Sequence, residues 1–393
     1  MSLATIKIGE ICEIIRGVTF NKTDGKLVAF EDSTPIIRAG SIQKSLEINK
    51  DLIWISRNKV KDNQYIKMND ILMCMSSGSS ELVGKCAIAT SDWEGSFGAF
   101  CALLRPNKEK YHPKYIYYFL NTPNFKKWAT SSSGSNIKNL RISELSAYLV
   151  SLPSLEEQKR IAAILDKADS IRRKREQAIK LADDFLRATF LDMFGDPVVN
   201  PSHWNKYKLK DITTKIGSGA TPKGGKSVYV ENGISFIRSL NIHDNKFLHK
   251  DLVFINDAQA SALKNVEVKK NDILLNITGA SVCRCAIVDN NILPARVNQH
   301  VSIIRSEVVN HDYLLHILIS PSFKQYLLSI ARSAGATREA LTKDQIENLS
   351  IPIPPIELQN KFAIIKKKIK NMVEKMVSAS ENSLIEALND EYF

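Results

Sequence analysis

The chain is written twice, and that repetition limits its fold more than any single motif does. Ile36-Ile37-Arg38 returns as Phe236-Ile237-Arg238, and Lys67-Met68-Asn69-Asp70-Ile71-Leu72 as Lys269-Lys270-Asn271-Asp272-Ile273-Leu274, at an offset of about two hundred residues. Lys85-Cys86-Ala87-Ile88 returns as Arg284-Cys285-Ala286-Ile287, and Thr122-Pro123-Asn124-Phe125-Lys126 as Ser320-Pro321-Ser322-Phe323-Lys324. Leu152-Pro153-Ser154-Leu155-Glu156-Glu157-Gln158 is matched by Ile353-Pro354-Pro355-Ile356-Glu357-Leu358-Gln359. The chain thus divides into four pieces: globular 1–152, helical 153–199, globular 200–353 and helical 354–393.

The globular pieces carry short β-branched runs such as Ser235-Phe236-Ile237 and Asp272-Ile273-Leu274-Leu275, broken by Gly, Asn and Asp. One helix is expected near Tyr115–Lys127 and another near Asp312–Leu328, so each copy is a mixed α/β or α+β domain. The segment Leu155–Phe194 contains neither Gly nor Pro, opens on an S-x-x-E capping box (Ser154, Glu157) and stops at Gly195-Asp196-Pro197. Its apolar positions Ile161, Ile164, Ala168, Ile171, Ala178, Ala182 and Phe185 step by three and four; Phe362, Ile365, Ile369, Met372, Met376 and Ala379 repeat the pattern as a heptad. Two such helices are expected to pair as an antiparallel coiled coil, a spacer between pseudo-twofold-related domains.

Composition narrows the class. Of 393 residues, 44% are hydrophobic and 24% charged, the balance of a globular protein. No run of eighteen apolar residues and no signal-peptide pattern is found, so a cytoplasmic protein without a membrane span is expected. The six cysteines show no C-x-x-C spacing and read as buried thiols, and the seven histidines form no compact ligand set, which gives a metal site no support.

The net charge of +12 sits entirely in the globular copies. Residues 1–152 hold 20 basic and 14 acidic residues and 200–353 hold 19 and 13, whereas the helical pieces hold 9 and 9, then 6 and 6. Two basic domains on a spacer suit a polyanion gripped at two places, because each neutralised phosphate releases counterions.

The stretch Ala220-Thr221-Pro222-Lys223-Gly224-Gly225-Lys226-Ser227 imitates a nucleotide-binding loop. Such a loop needs its Lys-Ser on the first turn of a helix, yet the adjoining run Val228-Tyr229-Val230-Glu231-Asn232-Gly233 is a poor helix starter. The stretch reads instead as a basic, glycine-rich loop.

Ile216-Gly217-Ser218-Gly219-Ala220-Thr221-Pro222-Lys223, followed by Ile234-Ser235-Phe236-Ile237-Arg238-Ser239-Leu240-Asn241-Ile242, resembles the start of a target-recognition domain in type I restriction-modification specificity subunits. The Pro-x-Leu/Ile-Glu-x-Gln entries at Pro153 and Pro354, and Phe190-x-x-Met193-Phe194-Gly195-Asp196-Pro197, are similar to that family's spacers. The first copy departs from it, with Arg16-Gly17-Val18-Thr19-Phe20 in place of the glycine-threonine-proline loop. The resemblance implies a non-catalytic reader of a bipartite, asymmetric sequence in double-stranded DNA. It implies as partners two modification subunits, which carry S-adenosylmethionine and methylate adenine, and two restriction subunits, which use ATP and magnesium; this chain would hold no cofactor. A specificity subunit for a fused nuclease-methylase, or a protein-binding coiled-coil scaffold, would share the repeats and helices.

Candidate DNA contacts are forked donors, amides and hydroxyls on loops that the repeat places equivalently. Arg38, Ser41 and Gln43 match Arg238, Ser239 and Asn241; the loop Ser76-Ser77-Gly78-Ser79, with candidates Ser77 and Ser79, matches Asn276-Ile277-Thr278-Gly279-Ala280-Ser281, with candidates Asn276 and Thr278; Asn136 and Lys138 match Thr337 and Arg338. Lys85, Arg284, Lys223 and Lys226 are phosphate candidates. Gln299 and His300 rank below these, since their counterparts Ala99 and Phe100 differ in chemistry. Leu186, Phe190, Met193 and Phe194 exceed what one heptad seam buries and suggest either a partner-docking surface or packing onto the recognition domains. Arg172-Arg173-Lys174-Arg175 reads as a solvated helix face.

Overall fold

The strand Ile71–Cys74 shows how each copy is layered. Ile71 and Met73 point into one apolar cluster with Tyr115 and Phe125, while Leu72 and Cys74 point into another with Ile37 and Phe97. Successive strand residues face opposite sides, so a strand covered on both must be apolar throughout rather than alternating. Ile273–Asn276 repeats this: Ile273 and Leu275 face the cluster of Tyr313 and Phe323, and Leu274 faces that of Phe236 and Val297.

The computed structural model describes residues 4–79, 82–131, 138–222, 224–333 and 339–378. They divide into two compact units, one reaching to Arg175 and the other spanning Glu176–Ser378. In the first unit an antiparallel sheet runs Cys12–Arg16, Cys101–Pro106, Ile71–Cys74, Cys86–Ile88, and a second sheet runs Ile53–Ser56, Ser33–Ile37, Ser96–Phe97. The second unit has the same order in Lys215–Ser218, Val301–Arg305, Ile273–Asn276, Cys285–Ile287. Its other sheet runs Val253–Ile255, Ile234–Ile237, Ala295–Val297 and adds Glu267–Val268 at the edge. All six cysteines are buried and free.

The helices expected near Tyr115–Lys127 and Asp312–Leu328 are each two: Pro113–Phe119 with Pro123–Ser131, and His311–Ile319 with Pro321–Ser333. Pro123 and Pro321 start new helices at a position where no N–H is missed.

The repeated Lys-x-Asn-Asp-Ile-Leu motif is a structural staple. Asn69 and Asn271 take positive φ (74° and 66°), which turns the chain so that Asp70 and Asp272 accept from the backbone N–H of Lys67 and Lys269, each at 2.7 Å. Both carboxylates are buried and meet an arginine bidentately: Arg105 donates to Asp70 at 2.9 and 2.7 Å, and Arg305 to Asp272 at 2.6 Å twice.

The repeated Pro-x-Leu/Ile-Glu-x-Gln motif is a joint. Gln158, buried, donates to the Pro153 carbonyl and accepts from the His112 N–H at 3.0 Å; Gln359 does the same with Pro354 and the Asn310 N–H at 2.9 Å. Each glutamine thus ties the first turn of a long helix, Leu155–Phe194 or Ile356–Ser378, to the start of a domain helix. Near each joint lies an ion pair of opposite polarity. Lys114 of the first domain helix reaches Asp166 at 2.6 Å, whereas Asp312 at the equivalent place accepts from Lys366 at 2.6 Å. Of the capping box only half forms: Ser154 Oγ accepts from the Glu157 N–H at 3.3 Å, while the Glu157 carboxylate holds Arg160.

The apolar seams differ from the heptads expected. Phe362 is buried as expected, but Ile171, Phe185 and Met372 are exposed while Leu186 and Phe190, outside the expected stripe, are buried. The physical reason is that charged side chains share the covered face of each helix. Arg172 is paired with Asp169 and largely buried, and Lys366 is buried against Asp312, so apolar residues alone misphase the stripe.

His316 sits in this packing, its ring centroid 5.8 Å from that of Phe190 and 4.8 Å from that of Phe362, and its Nδ1–H donates to the Asp312 carbonyl at 2.8 Å. Burial, then the Lys366 charge, pushes its pKa down from 6.5 to about 3. Below 6.5 the unfolded chain therefore binds a proton that the folded chain refuses, so this contribution is intact at neutral pH and is lost progressively toward pH 3. We expect urea unfolding to show wild type losing about 2 kcal/mol more than His316→Leu between pH 7 and pH 5. Equal losses would mean that other groups set the acid sensitivity.

Candidate nucleic-acid interface

Loops that are far apart in sequence converge at one edge of each unit. In the first, Arg38, Ser41, Asp51, Ser76, Ser77 and Phe100 line a concavity of about 440 Å³. Strand Ile71–Cys74 delivers the serines, whose segment Ser76–Ser77 pairs with Lys138–Asn139. The Arg38 side chain is exposed, and no hydrogen bond or ion pair of its guanidinium is found among the described residues. Lys85 Nζ donates to Gln43 Oε1 at 2.9 Å, which adds a cation and an amide to the same neighbourhood. Ser41 is buried, and Ser77 Oγ accepts from the Ser79 N–H at 3.1 Å.

The second unit builds the same place with different chemistry. Asn276 Nδ2 donates to the Ser239 carbonyl at 2.8 Å, and Thr278 bridges to Ala340 where Ser76 faces Asn139 in the first unit. Arg238 is only half exposed: it donates to the Asp251 carbonyl and lies 5.8 Å from the centroid of the Tyr229 ring. Asn241 is fully buried. Its Oδ1 accepts from the Arg238 N–H at 3.0 Å and its Nδ2 donates to the carbonyls of Leu248 and Lys250, so this amide shapes the loop and has nothing left for a base edge. Arg238 Nε and Asn276 Oδ1 are buried with no partner among the described residues, and Arg284 is half exposed.

Gln299 and His300, placed low on sequence grounds, are in the same cluster. His300 Nδ1 lies 2.6 Å from Thr278 Oγ1, and the Thr221 hydroxyl meets the Gln299 side-chain oxygen. The signal that could have found them is register: the carbonyl of His300 accepts from Ile277 N–H at 2.9 Å, as that of Phe100 accepts from Met75 N–H at 2.8 Å.

Asn136, Lys223, Thr337 and Arg338 lie outside the described residues, as do the side chains of Lys138 and Lys226. The backbone of Gly225–Val228 forms a short 3-10 turn and no α-helix follows, so Lys226 and Ser227 do not open a helix as a phosphate-binding loop requires. Leu186, Phe190 and Phe194 are buried and Met193 partly so, in the core of the second unit. Phe190 and Phe194 pack against Tyr313 and Phe362, mostly edge to face, with centroids 4.7 to 5.8 Å apart. Packing onto the domain consumes these side chains and leaves none of the three aromatic and aliphatic anchors free to dock a partner.

Among the described residues no group of three or more His, Cys, Asp or Glu is arranged to hold a metal ion, and no helix is long and apolar enough to cross a membrane. The interface offers cations, amides, hydroxyls, the imidazole of His300 and the exposed ring of Phe100, groups able to contact phosphates and base edges.

Comparison with known proteins identifies the family. A model of the type I restriction modification DNA specificity domain matches residues 3–181 and again 201–383. The StySPI specificity subunit of Salmonella potsdam, a type I restriction enzyme, is 27% identical over 99% of this chain and 89% of its own length. The EcoKI specificity subunit of Escherichia coli K12 is 25% identical over 98% and 88%. The crystal structure of a type I restriction-modification S subunit from M. genitalium shares the fold, with a TM-score of 0.59 at 15% identity over 99% of this chain and 96% of that one.

Proposed function

The chain belongs to the type I restriction modification DNA specificity family and is a DNA sequence-recognition subunit, and from that premise we propose that its two units each read one half of a bipartite, asymmetric target. One observation carries the reading: the globular copies 1–152 and 200–353 have equal basic excess and present the same loop cluster with different side chains. Equal charge gives both halves a similar grip on phosphates, while different side chains give each half its own sequence. In this reading residues 1–152 and 200–353 are the recognition domains, and 153–199 and 354–393 are the spacers.

Arg38, Gln43, Lys85, Ser77, Ser79, Thr278, Arg238, Ser239 and Arg284 are the proposed DNA contacts; Ser41, Asn241 and Asn276 hold the loops that present them. The recruited partners are two modification subunits, which supply S-adenosylmethionine and adenine methylation, and two restriction subunits, which supply ATP- and magnesium-dependent cleavage; this chain contributes no catalytic residue and acts in the cytoplasm.

The test is to co-express the chain with its cognate modification subunit and map methylated adenines on plasmid DNA by single-molecule sequencing. The expected outcome is a motif in two blocks with a fixed gap between them. A stable complex that adds no methylation would sink the reading.

A further inference from the structure

We propose that the residue at position 100 in the first unit and 300 in the second is a base-reading, specificity-determining residue, apolar in one half and hydrogen-bonding in the other. The proposal rests on the bipartite reading above and adds which side chain discriminates and by what chemistry.

The two positions are structurally the same. Each is the residue before a central strand, Cys101–Pro106 or Val301–Arg305, and each gives its carbonyl to the residue that follows the neighbouring strand, Met75 or Ile277. The backbone is therefore pinned while the side chain is free to differ. Phe100 is 68% exposed at the rim of the concavity that also holds Arg38, Ser76 and Ser77. That concavity sets the Phe100 ring beside one cation, Arg38, one carboxylate, Asp51, and serine hydroxyls, so the ring stands next to groups able to contact phosphates and base edges. It is rigid, flat and unable to hydrogen-bond, which fits apolar contact with the 5-methyl group of thymine.

His300 occupies that place with the opposite chemistry. Thr278 Oγ1, 2.6 Å from Nδ1, fixes the ring, and Nε2 makes no hydrogen bond among the described residues. An imidazole so held presents one oriented nitrogen to a base edge, and a site built to hydrogen-bond rejects the wrong partner more sharply than an apolar one does. Thr221 and Gln299, in contact beside it, enlarge the same polar surface.

The experiment maps the methylation motif of the co-expressed complex for wild type, Phe100→His, Phe100→Ala and His300→Phe. Phe100→His and Phe100→Ala should relax or change one base position in one block by about tenfold, leaving the other block intact. Replacing thymidine by deoxyuridine at that position should weaken wild type and leave Phe100→Ala unaffected. His300→Phe should change one position of the other block only. Thermal melting of each variant separates misfolding from altered reading, and the untouched block serves as an internal control. A two-block motif unchanged in all variants would overturn the assignment alone, as would a loss of affinity equal for every sequence. A wild-type motif without two blocks would overturn the bipartite reading and the assignment together.

Discussion

Asp272→Ala should lower the unfolding free energy by about 3 to 5 kcal/mol, the cost of leaving one member of a buried ion pair without its partner. The side chain of Asp272 is inaccessible to solvent and that of Arg305 is 19% exposed, so without the carboxylate the guanidinium keeps only the Glu267 carbonyl and partial access to water. The same substitution orphans the Lys269 N–H that Asp272 accepts, and it loosens a turn whose Asn271 already sits at positive φ. Asp70→Ala should behave alike in the first unit, where Arg105 loses two hydrogen bonds and the Lys67 N–H one. Urea unfolding at neutral pH measures both. A loss below about 1 kcal/mol would mean that the arginine finds another acceptor. Replacing Asp272 and Arg305 together by apolar residues of similar volume should recover much of the stability, because the penalty belongs to the unpaired charge.

Phe362→Ala should cost about 3 to 5 kcal/mol and should free the C-terminal helix from its domain. Phe362 is fully buried, with its ring centroid 5.3 Å from that of Phe190, 5.7 Å from that of Phe194 and 4.8 Å from that of His316. No smaller side chain at that position reaches all three rings, so the cavity persists. Hydrogen exchange should then rise over Ile356–Ser378 while the central strands Ile273–Asn276 and Val301–Arg305 stay protected. Unchanged exchange in the helix would show that Gln359 and Lys366 suffice to hold it.

The features legible in the sequence and those hidden from it divide along a physical line. The repeat, the mixed α/β class, the long helix Leu155–Phe194 and the three loop stretches around Arg38, Ser77 and Lys138 were legible, because they depend on pattern and equivalence. Burial of polar groups was not. Asn241 and Asn276 look like amides ready for a base edge, yet Asn241 has both polar atoms of its side chain engaged and Asn276 donates to its own domain. Lys366 and Arg172 look solvated, yet Lys366 is buried against Asp312 and Arg172 is largely covered beside Asp169, so a stripe read from apolar residues alone falls on the exposed Phe185 and Met372. Phe100 and His300 were hard to single out because they disagree between copies, although a two-part reader needs its halves to disagree.

The opposed polarity of the pairs Lys114–Asp166 and Asp312–Lys366 bears on how such a chain can be recombined. Counted from the joint glutamines, Lys366 corresponds to Leu165 and Asp166 to Lys367, so a transplanted second domain would set Asp312 against Leu165 and the reciprocal graft would set Lys114 against Lys367; either exchange loses the attraction of the native pair. New specificities assembled by shuffling are thus most easily tolerated when the crossover falls inside the long helices, beyond Asp166 or Lys366, so that each domain inherits the segment whose charge answers its own.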